Sequence, residues 1–206
     1  MPPATPVLRP YRPTDSAWLA DVCVRTGLGG EDARGHYDDP GVLPAIFATP
    51  YAELEPELVL VADDGQRVIG YVLGTADTAA FYDRFRRVWL PTVADRFPAP
   101  DEGAEGPDAA MRKLLHHADR MHVPAFDEHY PAHLHIDLLP EGQGRGLGRA
   151  LLETWLDTLR ARGVPGVHLG VNPENTRARA FYDRLGFTSL TAPGAPPGAV
   201  HLGLRL

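Results

Sequence analysis

Four glycines alternate at positions 142, 144, 146 and 148, inside the run Leu138-Leu139-Pro140-Glu141-Gly142-Gln143-Gly144-Arg145-Gly146-Leu147-Gly148-Arg149. The segment before them, 133–139, has strand character, and the segment after them, 146–162, repeats its apolar residues at helical spacing. A second strand pattern at 166–171 and a second helical pattern at 175–185 follow. Strand, tight turn, helix, strand is a βαβ unit, whose parallel strands need helices on the sheet faces. The chain is therefore expected in the α/β (α+β) class.

A glycine turn opening a helix directs several backbone N–H groups at one point, and the helix dipole adds positive potential there. Phosphate or pyrophosphate is the matching ligand. The Walker pattern needs Gly-Lys-Ser/Thr, and this run holds no lysine. The dinucleotide fingerprint needs a third glycine three residues after the second. Its three registers meet Leu147, Arg149 and Leu151 instead.

The rest of the chain supplies the other strands. Residues 7–12 form a short strand with Pro10 at an edge or end. Pro13-Thr14-Asp15 starts a helix with Trp18, Leu19, Val22 and Cys23 on its apolar side, ended by Gly27 to Gly30. Residues 42–54 hold a short helical or irregular piece. Residues 57–62 and 67–75 form a hairpin about Asp63-Asp64-Gly65-Gln66. Residues 78–97 are helical, with Phe81, Phe85, Val88 and Trp89 on one side and a kink or break at Pro91. An acidic, proline-rich loop at 98–109 precedes a helix at 111–121. Strands at 187–190 and 200–206 flank a loop at 192–198, and the last strand pairs within the domain or at a homodimer seam.

With 206 residues, one domain over 1–206 with an insertion at about 78–130 is expected. The net charge of −7 argues against a nucleic-acid partner. No run approaches ~18 uncharged apolar residues, so no membrane partner is expected. A secretory pattern is lacking in the first residues, which makes a cytoplasmic protein the expectation.

Gln143-x-x-Gly146-x-Gly148 resembles the acyl-coenzyme A signature of the GNAT superfamily, Gln/Arg-x-x-Gly-x-Gly/Ala. Asn175-x-x-Ala178-x-x-x-Tyr182-x-x-x-Gly186-Phe187 resembles its second signature, with Asn175 and Tyr182 on one helix face. Arg12 to Asp15 and Val68-Ile69-Gly70-Tyr71-Val72 are similar to the amino-terminal half of that fold. Phe81, Trp89-Leu90-Pro91, Phe126, Tyr130-Pro131 and His135-Ile136-Asp137 extend the likeness to the acetyltransferase-like carboxy-terminal domain of O-GlcNAcase and its free-standing bacterial relatives. The glycine turn here is better kept than in that O-GlcNAcase domain.

The resemblance implies a GNAT fold: a central, mixed, twisted sheet of about seven strands flanked by helices, with a long insertion before the cofactor-binding strand. It implies acetyl-CoA as cosubstrate, no metal, and direct attack of a primary amine on the thioester in a ternary complex. Leu138 and Leu139 would pair with the pantetheine arm, and Gln143, Gly144, Arg145, Gly146, Gly148 and Arg149 would hold the pyrophosphate. Asn175 would bond the pantetheine, cap its helix, or both. Tyr182 is the candidate general acid, against a tyrosine packed under the sheet. A phenol at pKa ~10 is near enough to a thiol at ~8.5 to protonate the leaving thiolate.

Asp137 is the candidate general base, against a structural carboxylate, because it interrupts an apolar strand where a charge is costly unless used. His133, His135 and Asp137 share one strand face. A zinc site there is not favoured, and His135 lining the acceptor pocket is the alternative to an ordinary half-buried histidine. His116, His117, His122 and His129 are read as surface residues. Arg177 and Arg179 either meet the 3′-phosphate or stay solvated. Phe81, Trp89 and Tyr130 are favoured as core over a lid. A second reading of the same residues is a catalytically inactive acetyl-CoA-binding or sensing module.

Overall fold

The computed structural model describes residues 5–193, 198 and 200–206. Seven strands form one mixed sheet in the order β1-β2-β3-β4-β5-β7-β6. They are β1 (Val7–Pro10), β2 (Val59–Asp63), β3 (Val68–Thr75), β4 (Ala132–Leu138), β5 (Gly166–Val171), β6 (Thr188–Leu190) and β7 (Val200–Arg205). The sheet is antiparallel except between β4 and β5. Strand β7 pairs inside the chain with β5 and β6.

Strand parity sorts the two faces. On β3 every residue is buried, so the strand is sandwiched. Its odd positions, among them Tyr71, face α1 (Ser16–Thr26) and α3 (Thr49–Leu54), and α2 (Val42–Phe47) packs against both helices. Its even positions face α7 (Leu147–Ala161), where a side chain on Gly74 would run into the ring of Trp155. Trp155 is fully buried and donates from Nε1 to the carbonyl of Leu58 at 2.9 Å. Leu151, Leu152, Trp155, Leu156 and Leu159 make the buried stripe of α7, the spacing of an amphipathic helix. Strand β4 continues the same parity: Asp137 lies opposite Tyr71, His135 opposite Leu73, and His133 opposite Thr75.

Between β3 and β4 the chain runs through α4 (Thr78–Arg84), α5 (Leu90–Val93) and α6 (Pro107–His116), and α8 (Thr176–Asp183) follows β5. Pro91 does not break the helix. The backbone passes from α4 into a π-helical stretch, Phe85–Trp89, which rearranges the hydrogen bonding just ahead of the missing donor. That change of twist turns Val88 outward, so it is 57% exposed rather than beside Phe81 and Phe85. Trp18 is likewise 39% exposed. The predicted 98–109 loop ends early because Pro107 takes the first position of α6, where its missing N–H costs nothing. The expected 192–198 loop falls largely outside the described residues.

Candidate active site

Strands β4 and β5 pair at only two positions, Ala132 with Val167 and His133 with His168. Beyond them the strands diverge. Among the described residues the β5-facing edge of β4 has no strand partner from Leu134 onward, and a cleft of about 1030 Å³ opens there. The glycine turn, α8, the carboxy-terminal end of α1, its following loop, Leu43 and Phe47 line it.

Gly144 and Gly146 adopt left-handed backbone at φ 70° and 78°, where a side chain is disfavoured whatever the space. A Cβ on either would meet no atom within 4 Å, so the turn is an open cradle. Gly146 begins α7 without any side-chain cap, which leaves the first N–H groups of a 15-residue helix toward the cleft. Gly142 and Gly148 instead lie close to Leu138, whose methyl groups come to 3.0 Å of where their Cβ atoms would be. Gln143 donates from Nε2 to the Leu138 carbonyl at 2.7 Å, bracing the turn against the end of β4.

Leu138, Gln143, Gly144, Gly146, Gly148 and Arg149 all line the cleft, with Asp137, Asn175 and Tyr182. Two predicted residues do not. Leu139 is fully buried, and its N–H is already given to the Ile69 carbonyl at 2.9 Å, because the chain leaves the sheet there. Arg145 sits at the exposed outer tip of the turn and does not reach the cleft wall.

Asp137 accepts a 2.7 Å hydrogen bond from the Tyr71 hydroxyl. Burial raises its pKa above the usual carboxylate range, while Tyr71 and Thr26 act in the opposite direction. Tyr182 is 7% exposed, and burial, with the Asp137 charge, holds its phenol protonated well above its ordinary range. Its hydroxyl has no hydrogen-bond partner among the described residues and is not among the atoms sealed from solvent. That leaves a neutral hydroxyl at the cleft wall.

Asn175 caps α8 through Oδ1, which accepts from the Ala178 N–H at 2.9 Å. Its Nδ2 donates to the Gly29 carbonyl at 2.9 Å, tying α8 to the loop after α1. Capping takes one of the two lone pairs of Oδ1, and Asn175 also lines the cleft. Arg177 lines the cleft, whereas Arg179 turns back to the Pro173 carbonyl. Phe81 is core, Trp89 donates to the Ala45 carbonyl, and Tyr130 accepts through its carbonyl from His168; none lines the cleft. His117 and His129 are exposed, but His116 and His122 are half-buried against the Phe97 carbonyl and Asp127.

His135 is half-buried on the cleft wall, its Nε2 3.1 Å from the Tyr51 hydroxyl and its ring edge-on to Phe47. Burial lowers its pKa to about 4, so the ring is neutral near neutral pH. Among the described residues no group of three His, Cys, Asp or Glu is arranged to hold a metal. Sequence reasoning missed the wall contributed by Thr26, Phe47 and the loop after α1, and missed Tyr71 and Tyr51. No short motif marks them. Only the odd-position alternation His133, His135, Asp137 signals that one face of β4 has polar neighbours.

The sequence model of the acetyltransferase (GNAT) family matches residues 108–187. Protein O-GlcNAcase of Rattus norvegicus is 25% identical over 221 residues, which takes in all of this chain but only 23% of that protein. A crystal structure of SsHAT is 53% identical, covers 98% of both chains and superposes with a TM-score of 0.92. The structure of yncA, a putative acetyltransferase from Salmonella typhimurium with its cofactor acetyl-CoA, shares the fold: TM-score 0.55 at 17% identity over 98% of this chain and 94% of that one. No described helix is long and apolar enough to cross a membrane. The seven-stranded mixed sheet, split between β4 and β5 above a glycine turn, is the GNAT fold, and the chain belongs to the GNAT acetyltransferase family.

Proposed function

We propose that residues 1–206 act as one unit that transfers the acetyl group of acetyl-CoA to a primary amine. The observation that supports this most strongly is the divergence of β4 and β5, which opens a cleft lined by the uncapped α7 terminus, Asp137 and Tyr182. The fit to acetyl-CoA rests on the chain itself. The cradle at Gly144 and Gly146 has room for a pyrophosphate, and α7 supplies unpaired N–H donors. Arg177 and Arg149, the latter paired with Glu153, line the same cleft. The free edge of β4 suits an extended, amide-bearing arm.

Bound there, acetyl-CoA supplies an activated thioester. Asp137 receives a proton from the incoming ammonium, directly or through a water, and frees the nitrogen lone pair. The nitrogen–carbon bond forms as the carbon–sulfur bond breaks. Tyr182 donates its phenolic proton to the departing sulfur and recovers one from the newly bonded nitrogen through solvent. Backbone N–H groups on the β4 edge orient the carbonyl oxygen.

Calorimetric titration with acetyl-CoA, followed by mass detection of products over a panel of alkyl, aryl and peptide amines, tests the reading. Saturable binding with acetylated product is expected. Binding without product for every amine class would favour an inactive sensing module instead.

A further inference from the structure

A buried hydrogen-bond chain begins behind β4 and ends at the cleft. The Thr78 hydroxyl lies 2.6 Å from the Pro131 carbonyl and 2.8 Å from His133 Nδ1. His133 Nε2 lies 2.7 Å from the Tyr51 hydroxyl, which is 3.1 Å from His135 Nε2. Each hydroxyl has one hydrogen to give, and a carbonyl can only accept. Thr78 therefore donates to Pro131, and His133 must donate from Nδ1 to Thr78.

Neutral His133 then has a bare Nε2, which takes the Tyr51 hydrogen. The Tyr51 oxygen is left to accept from Nε2–H of His135. The two histidines are fixed in opposite tautomers, and His135 keeps an unprotonated Nδ1. Burial holds both rings neutral. His135 Nδ1 has no partner among the described residues and is not among the atoms sealed from solvent, so it opens on the cleft that His135 lines.

Resting on the acetyl-transfer reading above, we propose that His135 Nδ1 is a hydrogen-bond acceptor for the acceptor amine, that Thr78, His133 and Tyr51 are positioning residues that set its tautomer, and that the site takes amines borne on an apolar body without a neighbouring carboxylate. Asp137 stands two residues along the same strand face, about 7 Å away by strand rise. One N–H of the amine meets Asp137 and another meets His135, which leaves the lone pair free to aim at the thioester. The chain ends on the Pro131 carbonyl, which takes no proton, so it orients His135 and does not conduct charge away.

The surroundings select the substrate. Leu43 and Phe47 flank this end of the cleft with apolar surface. The arginines that line the cleft are Arg149 in the first turn of α7, Arg177 in the first turn of α8 and Arg184 just after α8. With Asp137 and bare Nδ1 two residues apart on one face of β4, an amine nitrogen is matched and a carboxylate beside it meets the negative charge of Asp137.

The test uses long-range proton–nitrogen spectra of the histidine rings in the full chain, with His135→Asn to assign the signals. With coenzyme A bound, phenylethylamine and phenylalanine serve as probes that differ only in the carboxylate. We expect His133 protonated on Nδ1 and His135 on Nε2, a shift of His135 Nδ1 with phenylethylamine, and at least about tenfold weaker binding of phenylalanine. Tyr51→Phe should leave the His133 tautomer intact and release that of His135. In turnover, His135→Asn, which keeps an acceptor near Nδ1, should retain more kcat/KM than His135→Gln, which should lose about tenfold.

A proton on His135 Nδ1, no shift with saturating amine, or equal binding of phenylalanine overturns the inference. Undiminished transfer by His135→Gln overturns it while leaving acetyl transfer standing. Failure to acetylate any amine refutes the transferase reading instead, and the spectra still decide the tautomers.

Discussion

Tyr71 and Asp137 face each other across the β3–β4 register, and the buried Tyr71 hydroxyl donates to Asp137 Oδ2 at 2.7 Å. This bond opposes the burial that raises the Asp137 pKa. Removing it in Tyr71→Phe lets that pKa rise further. A base works when deprotonated, so the acid limb of the kcat/KM profile should move to higher pH. Asp137→Asn should lower kcat by about 10²-fold or more and abolish that limb. An unchanged profile in both variants would make the carboxylate structural.

Burial favours the neutral phenol of Tyr182, whose hydroxyl has no hydrogen-bond partner among the described residues. Tyr182→Phe should cut kcat by roughly 10²-fold while leaving acetyl-CoA affinity nearly intact. Single-turnover kinetics beside calorimetry separates the two effects. Equal losses in affinity and rate would point to packing.

Gly146 and Gly103 both have left-handed backbone and open space around them, but only Gly146 faces the cleft. Alanine at either should cost about 1–2 kcal/mol of stability through the same backbone penalty. Only Gly146→Ala should weaken acetyl-CoA binding, because it alone disturbs N–H groups at the start of α7. Melting curves and titrations on the two variants make the comparison.

The depressed pKa of His135, about 4, is a statement about stability. The unfolded ring titrates near ~6.5, so as pH falls below that value the unfolded state binds a proton that the native state refuses. Stability from this site is full above the unfolded pKa and is lost as pH falls through the folded one. His133 has the same sign, while Asp137, with a raised pKa, has the opposite sign at lower pH. Across the upper part of this window His135→Asn should therefore lose stability less steeply than the parent chain, by up to ~1.4 kcal/mol per pH unit. Urea unfolding at a series of pH values measures the slope.

Local chemistry made the sheet and much of the cleft legible in the sequence. The Asp63 to Gln66 turn, the alternation along β4 and the stripe of α7 each depend on near neighbours, and each forms where expected. The missed features are long-range. Tyr51 meets His135 across 84 residues and Tyr71 meets Asp137 across 66, so no window in the sequence holds both partners. The signature marks the turn, but the exit of β4 from the sheet decides which of its residues turn toward the cleft, and Leu139 and Arg145 do not line it. The local penalty of Pro91 signals a kink or a break, and the π-helical stretch before it keeps the helix continuous.

The most direct test of the account is amine-dependent release of free coenzyme A thiol from acetyl-CoA, measured in parallel on the parent chain, Asp137→Asn and Tyr182→Phe. The account predicts release that rises and saturates with an apolar primary amine, is near background without it, and falls sharply in both variants while acetyl-CoA still binds. Tight acetyl-CoA binding with no amine-dependent release, or release undiminished in both variants, would contradict it.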